Sequence, residues 1–136
     1  MEQWPTGRLL STAARLVEHA WVEALAEHGL THAGMIALHF LDAGPLNQSA
    51  LARQAKLENQ TMSRTIERLE REGFVVREAD PDDRRRQIVT RTPAGDAAWA
   101  SIASLESRVF PQLADNERMR AGLMEIIRRS SEQRWK

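Results

Sequence analysis

The 136 residues are enough for one compact domain with a real core and too few for two large ones, and their 42% hydrophobic and 28% charged content is globular rather than disordered. Cysteine is absent, which rules out disulfides and thiol redox sensing in this chain and fits a reducing compartment. Nineteen basic residues balance nineteen acidic ones, which argues against a nucleic-acid binder working by bulk charge alone.

In chain order, the opening Met1-Glu2-Gln3-Trp4-Pro5 has no apolar run and no later stretch approaches a membrane span, so the expectation is a cytoplasmic protein with no membrane partner. Leu9, Ala13, Leu16, Val17, Ala20, Trp21, Ala24 and Leu25 recur at helical spacing, and Gly29 stops this first helix. Thr31 is a good N-cap for a second helix carrying Met35, Ile36, Leu38 and Leu41, which Gly44-Pro45 ends. Asn47 can cap a short third helix with Leu51 and Ala52. After a break at Lys56-Leu57-Glu58, a fourth runs from about Asn59 to Glu72 and closes on Gly73.

The period then changes from 3.6 to 2. Phe74-Val75-Val76-Arg77 reads as a strand, Asp80-Pro81-Asp82-Asp83 as a turn, and Gln87-Ile88-Val89-Thr90 as the returning strand. Thr92-Pro93 opens a fifth helix with Ala97, Ala98, Ile102 and Leu105, which Pro111 is expected to end or kink. A sixth helix from about Asp115 holds Met119, Leu123, Ile126 and Ile127. The fold class that follows is mainly α with a small β-hairpin wing: a winged helix-turn-helix flanked by helices.

On the fourth helix Met62, Ile66 and Leu69 fall within about one-sixth of a turn and form the buried side. Asn59, Gln60, Thr61, Ser63 and Arg64 mark the outward N-terminal face, with Arg68 further along; such amide, hydroxyl and guanidinium groups hydrogen-bond base edges and phosphates. A solvated face is the alternative, held by Glu67–Arg71 and Arg68–Glu72 pairs four residues apart. Position in a helix-turn-helix ahead of a basic hairpin favours DNA. From Leu46 to Arg91 ten basic residues meet eight acidic ones, a small excess, with Arg84, Arg85, Arg86 and Arg91 crowded at the wing. A hairpin tip can insert one arginine into a minor groove, and an aspartate two residues earlier can hold its guanidinium. Asn47 and Ser49, at the start of the third helix, complete the expected DNA-binding set.

The segment Asp83-x-Arg85-x-x-x-Val89-x-x-Thr92-x-x-Gly95 resembles the wing signature of the MarR family of bacterial transcription regulators. The run from Met62 to Arg77 is similar to that family's recognition helix entering its first wing strand. The resemblance implies a homodimer built by the first, fifth and sixth helices, a recognition helix in each of two major grooves, Arg85 in the flanking minor groove, and an effector acting between head and dimerisation helices. The corresponding division is one domain over 1–136, with a DNA-binding part at 31–92 and dimerisation helices at 1–30 and 93–136. Three departures stand out. Arg91 replaces the family's leucine, so the second strand packs differently or offers a further cation. Lys56 and Glu58 occupy the turn where glycine and a small cap are usual. Pro111 argues against a long straight fifth helix.

The function expected is a sequence-specific transcriptional regulator, a repressor, that binds a pseudo-palindromic double-stranded operator as a homodimer and is released by an effector. Its rival is a winged-helix dimer that recognises protein without specific DNA binding, for which zero net charge and Glu58 speak. No glycine-rich phosphate loop and no nucleophile paired with a histidine is present, so an enzyme is not expected, nor is a cofactor. His19 with Glu23, or His28 and His32 with Asp42, have spacings that can hold a metal, yet ordinary surface and cap histidines account for them and no metal is expected. Trp21 and Trp99 are read first as packing anchors, and second as walls of a pocket for an aromatic small molecule.

Overall fold

The computed structural model describes residues 1–134, so the last two positions of the 93–136 segment lie outside the described residues. The elements are α1 (Thr6–Ala26), α2 (His32–Phe40) prolonged by a 3-10 turn (Leu41–Ala43), β1 (Leu46–Asn47), α3 (Gln48–Ala55), α4 (Asn59–Arg71), β2 (Val75–Ala79), β3 (Gln87–Arg91), α5 (Pro93–Ala103), α6 (Glu106–Val109) and α7 (Asn116–Arg134). Each expected cap is made. Thr31 Oγ1 accepts from Gly34 N at 3.0 Å, Asn47 Oδ1 from Ala50 N at 2.8 Å and Thr92 Oγ1 from Gly95 N at 3.0 Å. Gly73 takes φ 82° just past α4, and Phe74 N donates back to the Leu69 carbonyl, the left-handed stop that glycine permits.

The wing differs from the expected two-stranded hairpin. β1 adds to β3, giving an antiparallel sheet in the order β1-β3-β2, with Leu46 opposite Val89 and Asn47 opposite Ile88. Two residues cannot show a period of two, so nothing in the pattern betrays this strand. The fifth helix also ends earlier than expected, at Ala103 rather than near Pro111, and Leu105 lies outside it. Serine hydroxyls provide the reason: Ser101 Oγ donates to the Ala97 carbonyl and Ser104 Oγ to the Ser101 carbonyl. Leu105 N meanwhile tightens onto the Ile102 carbonyl. Side chains that compete for backbone acceptors loosen a helix before any proline is reached.

Leu25, Leu38, Leu51, Met62, Ile66, Val75, Val89 and Ile102 are fully buried and join α1 to α5 with the sheet in one core. Met62, Thr65, Ile66 and Leu69 form the inward face of α4, which leaves its other face outside. By contrast α7 keeps Met119, Met124, Ile126 and Ile127 exposed, and α1 keeps Leu9, Leu16 and Val22 exposed. No helix among the described residues is long and apolar enough to cross a membrane.

Lys56 ends α3 with φ 59° and ψ 38°, the one left-handed residue other than glycine among those described. A side chain there costs roughly 1–2 kcal/mol of backbone strain, partly offset by the freedom glycine would have unfolded. Lys56→Gly should therefore stabilise the protein by about 1 kcal/mol in urea denaturation. No gain would mean that the lysine stem packs well enough to cancel the strain.

Candidate nucleic-acid interface

The outward face of α4 is laid out as its periodicity requires. Asn59, Gln60, Thr61, Arg64 and Arg68 are exposed and Ser63 is half-buried. Neither of the pairs that would make this a self-satisfied surface forms: Glu67–Arg71 and Arg68–Glu72 are absent from the ion pairs of the described residues. The Thr65 hydroxyl donates to the Thr61 carbonyl at 2.7 Å, so this threonine serves the helix rather than the face. Glu58 holds the N-cap position in extended backbone without a side-chain capping bond to α4.

The wing tip is tightly organised. Asp80 Oδ1 accepts from Asp82 N, Asp83 N donates to the Asp80 carbonyl, and Asp80 N closes the loop on the Arg86 carbonyl. Asp83 then clasps Arg85 three times, accepting at Oδ1 from its backbone N and its Nε (3.1 Å each) and at Oδ2 from its NH2 group (3.3 Å). Arg86 Nε also approaches Asp83 at 3.6 Å. The anchor is mostly covered while the Arg85 side chain is 90% exposed, so a fixed base carries a cation pointing out of the protein. The Arg85 guanidinium, and next its backbone N–H, hold the Asp83 carboxyl below its ordinary range. Such a lowered group contributes above its unfolded value of about 4 and is lost only as pH falls through the lowered one, so the clasp is insensitive to pH near neutrality.

The other expected residues divide. Asn47 is half-buried and its oxygen is committed to capping α3, whereas Ser49, two residues on, is exposed. A shallow cavity of about 180 Å³ lies between this helix start and the wing base, lined by Asn47, Gln48, Ser49, Arg77, Arg85, Arg86 and Gln87. It brings Ser49 beside Arg85 and Arg86, and adds Arg77, which the sequence reading missed. Arg77 bonds Glu70 Oε1 at 3.0 Å, joining β2 to the end of α4 and lowering the Glu70 carboxyl below its usual range. Nothing in a strand's alternation distinguishes a cation facing the next element from one facing water. Arg84 is exposed and has no ion-pair partner among the described residues.

Arg91 is not a further cation for a ligand. Its Nε donates to Asp96 at 2.8 Å, one NH group to the Leu38 carbonyl at 3.0 Å and the other to Asp42 at 2.9 Å, and its side chain is 12% exposed. Asp42 is thereby occupied, and His28, His32 and Asp42 do not gather; among the described residues no group of three or more metal-ligating side chains forms. His19 stands 3.3 Å from Glu23, both well exposed.

A second cavity, of about 400 Å³, opens between α1, α2, α5 and α6. Trp21, Met35, Ile36, His39, Phe40, Trp99, Ile102, Ala103 and Glu106 line it. Trp21 is buried in the core and Trp99 rests on His39 with ring centroids 5.3 Å apart, so both tryptophans anchor packing and both form cavity wall.

A sequence model of the MarR family matches residues 28–86, the span from the end of α1 to the wing tip. The HTH-type transcriptional regulator SarZ of Staphylococcus aureus is 24% identical over 121 residues, covering 88% of this chain and 82% of SarZ. A probable transcriptional regulator from Pseudomonas aeruginosa superposes with a TM-score of 0.80 at 28% identity, over 93% of this chain and all of the other. BpsR of Bordetella bronchiseptica, described through the regulation of its DNA binding by 6-hydroxynicotinic acid, superposes at 0.76 with 25% identity, over 92% of this chain and 97% of BpsR. With the Asp83–Arg85 wing, the Thr92–Gly95 cap and the α3–α4 pair in place, the chain has the winged helix-turn-helix fold of the MarR family of transcriptional regulators and matches that family's sequence model across its reading head.

Proposed function

We propose that the protein is a homodimeric repressor that places α4 of each subunit in successive major grooves of a pseudo-palindromic operator, with Arg85 in the flanking minor groove. The observation that carries this is the pairing of an unsatisfied polar face on α4 with an exposed arginine whose base Asp83 has already ordered. Ordering that guanidinium in advance removes side-chain entropy that binding would otherwise lose. On this reading residues 31–92 are the reading head, and 1–30 with 93–136 dimerise. Asn59, Gln60, Thr61, Ser63 and Arg64 face base edges, while Ser49, Arg68, Arg84 and Arg86 face phosphates. Asn47 acts through the α3 cap it makes.

Selection of bound duplexes from random DNA, followed by titration at several salt concentrations, tests the proposal. Arg64→Ala should lose about 1–3 kcal/mol on the selected site and little on random DNA. Arg85→Ala should weaken both and reduce the salt slope by about one. A protein that selects no sequence and shows no salt slope would instead be a protein-interaction module.

Dimerisation is supported by the exposed apolar residues of α1 and α7, an apolar surface that the head does not cover. Sedimentation at micromolar concentration should give twice the 15.4 kDa chain mass; a monomer mass would sink this part of the proposal. The effector site is the 400 Å³ cavity, whose walls on α2 and α5 belong to the reading head and to the dimerisation segment respectively. A ligand there can bias their relative placement only by binding one arrangement better than the other.

A further inference from the structure

We infer that the 400 Å³ cavity takes a flat aromatic amine carrying a positive charge, and disfavours aromatic acids; this rests on the reading of the cavity as the effector site. Among its lining residues the aromatic walls are Trp21, Phe40, Trp99 and His39, and the aliphatic ones are Met35, Ile36, Ile102 and Ala103. Glu106, exposed on α6, is the only carboxylate in this lining, and no lysine or arginine takes part.

Three physical consequences follow. An acid entering this cavity would lose water from its carboxylate, find no guanidinium or ammonium, and lie beside a like charge. An ammonium group beside Glu106 would instead meet an opposite charge, and tryptophan rings such as Trp21 and Trp99 in the lining attract cations and stack flat rings. Neighbouring basic groups do not reverse the balance: Arg108, on the same short helix as Glu106, lines a different cavity with Glu23 and Glu27. The volume falls in the usual range for small-molecule sites and suits a compound of two fused rings.

Three probes of one shape read the charge preference: 1-naphthylmethylamine, 1-naphthylmethanol and 1-naphthoate, titrated by calorimetry into the full-length protein. The amine should bind about tenfold or more tighter than the acid and a few-fold tighter than the alcohol, the exposure of Glu106 limiting the second ratio. Glu106→Gln, a surface change that leaves the core intact, should bring amine and alcohol to near-equal affinity. Ala103→Trp, which fills the cavity, should abolish binding of the amine. The inference is overturned if the acid matches the amine, if the amine's advantage survives in Glu106→Gln, or if no probe binds to protein that still binds DNA. DNA titration in the presence of the amine separates the two levels. An amine that binds as described yet leaves DNA affinity unchanged upholds the ligand class and removes the effector role.

Discussion

Gly95→Ala should cost the protein about 3–5 kcal/mol, most of the margin of a small domain, and should be visible as a large drop in the urea midpoint. A Cβ built on Gly95 would lie 2.1 Å from the Phe74 carbonyl oxygen and 3.1 Å from its carbon, both backbone atoms that cannot rotate away. Relief requires the start of α5 to back off from the start of β2. That motion breaks the two bonds holding the junction, from Thr92 N to the Phe74 carbonyl at 3.0 Å and from Thr92 Oγ1 to the Gly73 carbonyl at 2.6 Å. Each net bond is worth about 1 kcal/mol and the overpacking a further 1–3. Gly7→Ala, where nothing lies within 4 Å of the added methyl, should be neutral or slightly stabilising. If Gly95→Ala stays within about 1 kcal/mol of the parent, the junction is softer than its geometry implies.

That glycine shows how the sequence and the structure divide the explanation. Thr92-x-x-Gly95 was recognisable as part of a wing signature, and Thr92 as a cap with proline behind it. Why the fourth position must be glycine was not, because the obstruction comes from Phe74, twenty-one residues earlier, and no local pattern contains it. The same holds across the head. Periodicity placed Met62, Ile66 and Leu69 inside and Asn59, Gln60 and Arg64 outside, since a helix of 3.6 residues per turn leaves little choice once one face is apolar. The Asp83–Arg85 clasp was readable because its partners are two residues apart. What escaped were pairings over distance: β1 on β3, Arg77 beside the wing base, and Arg91 reaching Leu38 and Asp42.

Arg91 is the clearest case of a long-range pairing, and its removal should produce the second large effect. Arg91→Ala should destabilise the protein by about 2–4 kcal/mol. The Leu38 carbonyl belongs to the last turn of α2, where no intrahelical donor exists, and a charged donor to such an acceptor contributes about 1.5–3 kcal/mol. The Asp42 and Asp96 carboxylates are each 61% exposed, so water replaces much of what they lose and each pair adds under about 1 kcal/mol. Arg91→Lys should recover less than half, because an ammonium cannot address three acceptors with one planar fork. Arg91→Leu restores the residue the family prefers and tests whether an apolar stem suffices; stability equal to the parent would show that the three bonds contribute nothing net. The DNA readout is separate. With its guanidinium turned inward onto α2, the 3-10 turn and α5, Arg91 offers no charge to phosphate. Arg91→Ala should therefore leave the salt slope of DNA binding unchanged while lowering affinity, since the strand that carries the wing loses its tie to the helices behind it. A salt slope reduced by about one would mean that Arg91 leaves its three partners to meet the DNA backbone.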